Sequence, residues 1–270
     1  MGPWPILVSE VMLQQTPVAR VLPVWQEWLA RWPTPAALAA SPAAEAIRHW
    51  GRLGYPRRAL RLHECARSLV ERHAGEVPAA LPQLLALPGV GSYTARAVAV
   101  FAFGQRHPVV DTNVRRLVAR VATGAPDAGP TTTDADLAAT LTLLPADAPT
   151  AAVASAAFME LGALICTARQ PRCGDCPLAA GCAWHASGRS LPAGPSRRPQ
   201  RYAGTDRQVR GKLLAVLREA TGPVPRSRLD LVWADAPQRR RALAGLIADG
   251  LVQALLDDRF VLAGDPAVRP

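Results

Sequence analysis

The chain is almost without lysine and asparagine. In 270 residues Lys212 is the only lysine and Asn113 the only asparagine; every other strong cation is arginine. A lysine Schiff base therefore has no candidate nucleophile before position 212. No apolar run approaches the length of a membrane span. No basic-then-apolar leader opens the chain. The chain is accordingly expected to be cytoplasmic, with no membrane partner. Cysteine is also scarce: of five, four lie between positions 166 and 182.

What is present points to a folded protein that meets a polyanion. Hydrophobic residues make up 49% of the chain, enough for a sizeable core. The length suits one large domain or a few modest ones. The net charge is +10 and the sequence pI about 10.5. Nucleic acid is the leading partner class for such a charge. A genomic composition bias is the alternative, since Ala, Arg and Pro are abundant throughout.

The run ICTARQPRCGDCPLAAGC spaces Cys166, Cys173, Cys176 and Cys182 as C-x6-C-x2-C-x5-C. Thiolates this close can wrap one soft metal centre, with Pro171, Gly174 and Pro177 bending the loop. The spacing differs from the common zinc patterns. It resembles the iron–sulfur cluster loop of the endonuclease III family, and that resemblance implies iron–sulfur over structural zinc; disulfides are weakest in a reducing compartment. Cys65, in RLHECARSL, reads as a small core residue.

Residues 1–188 read as helix after helix, punctuated by Gly and Pro, without strand-like alternation. Thr133 or Asp134 is placed to cap a helix after the loop PDAGPTTTDAD. From Ser187 to Lys212, Gly, Ser, Pro and Arg dominate, as in a basic linker or a solvated tail. Beyond it, three helices and two strands around Asp257 and Asp258 give winged-helix order. Arg239, Arg240 and Arg241 open the third helix, which is placed to enter a major groove. Winged helices also serve as protein-interaction modules.

Three further segments hold candidate chemistry. ALPGVGSYTARAV reads as helix, tight Gly89-x-Gly91 hairpin, helix. Both glycines permit positive φ and close backbone approach, and the N–H groups opening the second helix suit a phosphate. An ordinary helix–helix turn is the plainer alternative. In HPVVDTNVRRLVARV, Asp111 precedes a helix, where N–H groups and dipole favour its ionised form. That is either a simple N-cap or an anion facing developing positive charge. In PILVSEVMLQQTPV, Glu10 has apolar Ile6, Leu7 and Leu13 at three of its four helical neighbour positions. Burial disfavours a charged carboxylate, so Glu10 is either a general acid or a buried partner of an arginine; spacing does not choose.

Taken together, SEVMLQQT, the LGY of WGRLGYPRRA, LPGVGSYTA, VVDTNVRRL and the four-cysteine loop resemble, in order, the A/G-specific adenine DNA glycosylases of the endonuclease III family. The resemblance covers roughly residues 4–185. It implies an all-α, two-lobed core: a six-helix lobe with the helix-hairpin-helix at 1–105 and an iron–sulfur lobe at 106–186. A basic linker at 187–206 and a winged-helix-like domain at 207–265 follow.

The resemblance also implies roles. Glu10 would protonate adenine and then activate water. Asp111 would stay ionised beside an oxocarbenium-like sugar, and Asn113 would hydrogen-bond near them. The adenine would have to leave the base stack. Gln14, Gln15 and Thr16, with Leu53 and Tyr55, would enter or line the duplex, although Leu53 and Tyr55 read alone suit core packing. Gly89, Gly91 and Ser92, with Arg169 or Arg172, would hold the phosphate backbone. The four cysteines would hold a 4Fe–4S cluster. Tyr93 stands where lyase relatives carry their lysine, implying a monofunctional enzyme. The partner would be double-stranded DNA containing a mismatched adenine, bound by a monomer associated with the nucleoid during repair.

A G·T or G·U mismatch thymine/uracil glycosylase is the first rival reading. A non-catalytic DNA-binding iron–sulfur protein is the second. Chains of the family usually begin earlier, with a helix in the cluster lobe, so Met1 is a late start or a truncation. Many carry a Nudix-like domain that recognises 8-oxoguanine; residues 204–265 are too short for one. The third unit is expected to add duplex affinity, so that its deletion weakens binding and flattens the salt dependence.

Overall fold

Helix starts in this protein are written locally. In the computed structural model, which describes residues 1–129, 131–189 and 201–266, short polar side chains cap six helices. They are Thr34, Asp111, Thr133, Asp147, Thr205 and Asp235, each accepting from an N–H of the first turn. Of the two expected cap candidates before α9 (Asp134–Leu143), Thr133 is the cap; it forms a reciprocal capping box with Asp136. Residues 190–200 of the expected basic linker lie outside the described residues.

The chain divides into two compact units. One comprises residues 1–6, 79–85 and 90–197. Its frame is α7 (Ser92–Phe103), α8 (Thr112–Val118), α9 and α10 (Ala148–Leu164), with a short α6 (Leu81–Leu85) before them. Val110, Val114 and Val118 pack with Leu137, Leu143, Phe158 and Met159. At Gly162 of α10 a Cβ would stand 2.7 Å from the Asn113 carbonyl oxygen, so only glycine lets α10 lie this close to α8. A π-turn (Ala119–Thr123) continues α8, and α11 (Ala183–Ala186) closes the cysteine loop.

The other unit comprises residues 7–78, 86–89 and 198–270. Most of α1 (Pro3–Leu13) belongs to it, with α2 (Val18–Arg31), α3 (Pro35–Ala40), α4 (Ala43–Trp50) and α5 (Arg57–His73). Trp28 sits edge-on to Trp32 and Trp50, and Trp50 Nε1 donates to the Gly54 carbonyl at 2.9 Å. Cys65 is core, as expected; burial pushes its thiol up to about 12. The C-terminal elements are α12 (Asp206–Glu219), β1 (Val224–Pro225), α13 (Arg226–Asp230), α14 (Ala236–Ala248), β2 (Val252–Ala254) and β3 (Arg259–Leu262). The antiparallel sheet runs β1-β3-β2, with Asp258 at φ 57 in the turn. This is the expected winged-helix order plus a two-residue strand too short to show periodicity.

These C-terminal elements are built into the helical part of their unit. Ala44 and Ile47 of α4 belong to one core with Leu213, Leu217, Leu246 and Phe260. Arg48 donates to the carbonyls of Leu217, Arg218 and Ala220 and pairs with Asp265 at 2.7 Å. Arg218 donates back to the Ile47 carbonyl at 3.0 Å. The arginines expected to face a groove are largely engaged. Arg239 pairs with Asp230, and Arg241 donates twice to Asp206, at 2.7 and 2.9 Å. Arg241 and Gln238 hold the Asp206 carboxyl down to about 2. Of the three, only Arg240 has no ion pair among the described residues. Removing residues 206–270 is therefore expected to expose Ala44 and Ile47. Ile47→Ala alone should cost about 2–5 kcal/mol by chemical denaturation, and the truncation more.

Candidate functional site

The four-cysteine loop leaves α10 through a tight set of carbonyls. Arg116 on α8 donates from Nε to the Cys166 carbonyl at 2.8 Å and from Nη2 to that of Gly162 at 2.6 Å. Arg120, on the π-turn and 1% exposed, donates to the carbonyls of Thr167 at 2.8 Å and Ala168 at 3.1 Å. Its guanidinium carbon stands 4.4 Å from the Trp184 ring centroid. Two short 3-10 turns, Cys173–Asp175 and Ala179–Gly181, then bring Cys173, Cys176 and Cys182 round to Cys166.

The thiols line a cage with Leu117, Val121, Ile165, Pro171 and Trp184. Four thiols lining one apolar cage fit an iron–sulfur cluster, whose metal takes thiolate ligands. Arg169 and Arg172 are exposed on this loop, and Arg172 pairs with Asp175 at 3.7 Å.

In the same unit, Asp111 is the N-cap of α8. Its Oδ1 accepts from the Val114 N–H at 2.7 Å and its Oδ2 from Asn113 Nδ2 at 3.0 Å. Asn113 Oδ1 in turn accepts from Arg116 Nη2 at 3.0 Å. The single asparagine is thus held between the carboxylate and the arginine that anchors the cysteine loop. Sequence reasoning missed Arg116 and Arg120, though their placement on the Asp111 helix was the available signal.

Of the two hairpin glycines, Gly89 behaves as expected and Gly91 does not. Gly89 has φ +76, and a Cβ there would lie 2.8 Å from Arg61 Cβ. Gly91 is extended at φ −90 and is the N-cap of α7, with no capping side chain. Its value is an uncovered helix start, not left-handed backbone. Ser92 is exposed at that start, and its hydroxyl accepts from Arg96. Tyr93 is half-buried against Ala97, Val100 and Val109.

In the other unit Glu10 lies on α1, 8% exposed. Gln14 is half-buried and Gln15 exposed, the latter at φ 56. Tyr55 is 54% exposed at φ 46. Leu53 does not fit the expected wedge: at 3% exposure it packs into the core, as its plain reading suggested. Thr16 is buried too, and its hydroxyl is used internally.

Residues 8–141 match the HhH-GPD superfamily of base excision DNA repair proteins, and residues 166–182 the iron–sulfur binding domain of endonuclease III. The adenine DNA glycosylase of Mycolicibacterium smegmatis is 59% identical over 264 residues, 97% of this chain and 88% of that protein. The chain belongs to the adenine DNA glycosylase family. The likeness extends to solved structures of more distant proteins. A thermostable thymine-DNA glycosylase superposes with TM-score 0.62 at 26% identity, over 69% of this chain and 85% of its own. A trapped endonuclease III–DNA covalent intermediate gives 0.61 at 25%, over 70% and 86%. For this adenine DNA glycosylase family member the cysteine loop is an iron–sulfur site. Arg120→Met should leave the carbonyls of Thr167 and Ala168 without a donor. Iron and sulfide content per chain is expected to fall by at least about half, as is common when a group orienting metal ligands is lost.

Proposed function

We propose that this chain removes adenine paired with guanine or 8-oxoguanine, by hydrolysing the N-glycosidic bond and leaving the abasic strand uncut. The observation that carries the reading is Asp111. Its carboxylate is fixed at a helix N-terminus by one backbone N–H and one amide, the arrangement needed to keep a negative charge in place as positive charge grows on a sugar. The identity to proteins named adenine DNA glycosylase supports adenine as the base.

Adenine leaves poorly as an anion. Glu10 gives its proton to a ring nitrogen, the C–N bond breaks with its electron pair going to the base, and Asp111 faces the cationic sugar. Water then adds to the sugar carbon and returns a proton to the Glu10 carboxylate. The base must first be extruded, and the exposed Gln15 and Tyr55 are suited to occupy its place. Backbone N–H groups after Gly89 and Gly91, at Ser92, would take a phosphate. Cys166, Cys173, Cys176 and Cys182 would hold a 4Fe–4S cluster, whose contribution is to shape the loop bearing Arg169 and Arg172. With Tyr93 at the position of the lyase lysine, no Schiff base forms.

A panel of A·8-oxoguanine, A·G, T·G and U·G duplexes tests the base: release from the first two alone is expected, and release of thymine or uracil would favour the mismatch reading. Glu10→Gln should lower release at least about 100-fold while duplex affinity is retained. Tyr93→Lys is expected to gain a borohydride-trappable adduct; a folded, DNA-binding variant that traps none would displace Tyr93 from this role.

A further inference from the structure

Gln15 and Tyr55 are held in backbone that their side chains disfavour. Five described non-glycine residues have positive φ. Ala74 ends α5 in a left-handed cap, Arg189 closes the turn after α11 with its N–H on the Trp184 carbonyl, and Asp258 turns the β-hairpin, which are ordinary uses. Gln15 and Tyr55 instead project an amide and an aromatic ring into solvent, just after α1 and just before α5. Strained, exposed residues of this kind persist only where the surroundings over-determine them.

The over-determining group is Arg58. From Nη1 it donates to the carbonyls of Val11 at 2.9 Å, Met12 at 2.8 Å and Gln14 at 2.7 Å. From Nη2 it donates to Thr16 Oγ1 at 2.9 Å and the Gly54 carbonyl at 3.2 Å. Its guanidinium carbon lies 5.2 Å from the Trp50 ring centroid and 5.5 Å from that of Tyr55. One planar cation thus satisfies the end of α1, both residues flanking Gln15, and the residue before Tyr55. Thr16 adds a second tie, donating to the Leu53 carbonyl at 3.5 Å.

This arrangement is built for geometry at some expense of stability. Arg58 is 7% exposed, and its Nε is buried with no acceptor among the described residues. Burial lowers its pKa to about 10, so it stays charged at neutral pH. A lysine, with a compact ammonium and no planar fork, would not reach both segments at once.

We propose that Arg58 is a positioning residue for base extrusion, locking the Gln15 and Tyr55 turns into one rigid piece so that both side chains enter the duplex together. The proposal rests on the glycosylase reading above. Filling a gap in a base stack needs two groups at fixed separation, because a loosely held ring loses the stacking that offsets unpairing. Arg58 itself touches neither DNA nor the reacting atoms.

The test uses the full chain and two readouts. With 2-aminopurine at the adenine position, fluorescence at saturating Glu10→Gln protein reports the extruded fraction. Adding Arg58→Lys should lower that signal several-fold. In an otherwise wild-type chain, Arg58→Lys should lower the single-turnover rate constant on A·G by a factor on the order of 30, with the reaction amplitude unchanged. A merely structural role would reduce amplitude, the share of competent protein, and leave the rate constant. That result, or a saturating fluorescence equal to the parent's, overturns the proposal. Should Arg58→Lys lack a cooperative melting transition, Thr16→Val decides by the same two readouts, with a smaller loss in the same direction expected. A wild-type chain that extrudes 2-aminopurine but releases no adenine overturns the glycosylase reading instead.

Discussion

Backbone carbonyls that leave a helix or a tight turn inside a protein need donors, and here guanidinium groups supply them. Arg58 serves the end of α1, and Arg116 and Arg120 serve the exit from α10. Arg106 gathers the carbonyls of Leu141, Leu144 and Pro145 at the end of α9, and Arg48 those that end α12. A guanidinium suits this because it carries five N–H donors in a fixed plane and holds its charge when buried. In a chain with one lysine, arginine works largely as a structural element.

The consequence is clearest around the cysteine loop. A metal-binding loop is short, irregular and rich in carbonyls that secondary structure cannot satisfy. Arg116 and Arg120 satisfy them from the helix that Asp111 caps. The carboxylate, the single asparagine, Arg116 and the Cys166 carbonyl form one continuous hydrogen-bonded chain. The groups that hold the loop also orient Asp111, so loop order and carboxylate geometry share a support.

The same economy changes the meaning of the net charge. A value of +10 invites the picture of a broadly basic, DNA-facing surface. Many of the cations are turned inward to carbonyls or paired with acids of their own unit. In the C-terminal elements Arg210, Arg226, Arg239, Arg241 and Arg259 are all paired with aspartates. Their shared core with α4 makes these elements a support for the helical part of their unit, and their winged-helix order alone does not make them a groove reader.

Much of this was legible in the amino-acid order, because the signals are local. Helical spacing placed the helices, four close cysteines marked the metal loop, and Asp111 before a helix marked a capped carboxylate. The apolar neighbours of Glu10 foretold its burial. What only tertiary structure decided involves partners distant in sequence. Leu53 turned inward where a wedge was expected, in a loop after α4 that Trp50 ties to the core through the Gly54 carbonyl. Gly162 was unremarkable until α8 came within one methyl group of it. The arginines looked alike in sequence, and their fates depended on which carbonyls and acids the fold brought near. Periodicity and capping act over a few residues and can be read from order alone; the satisfaction of buried polar groups is settled only once distant segments have packed.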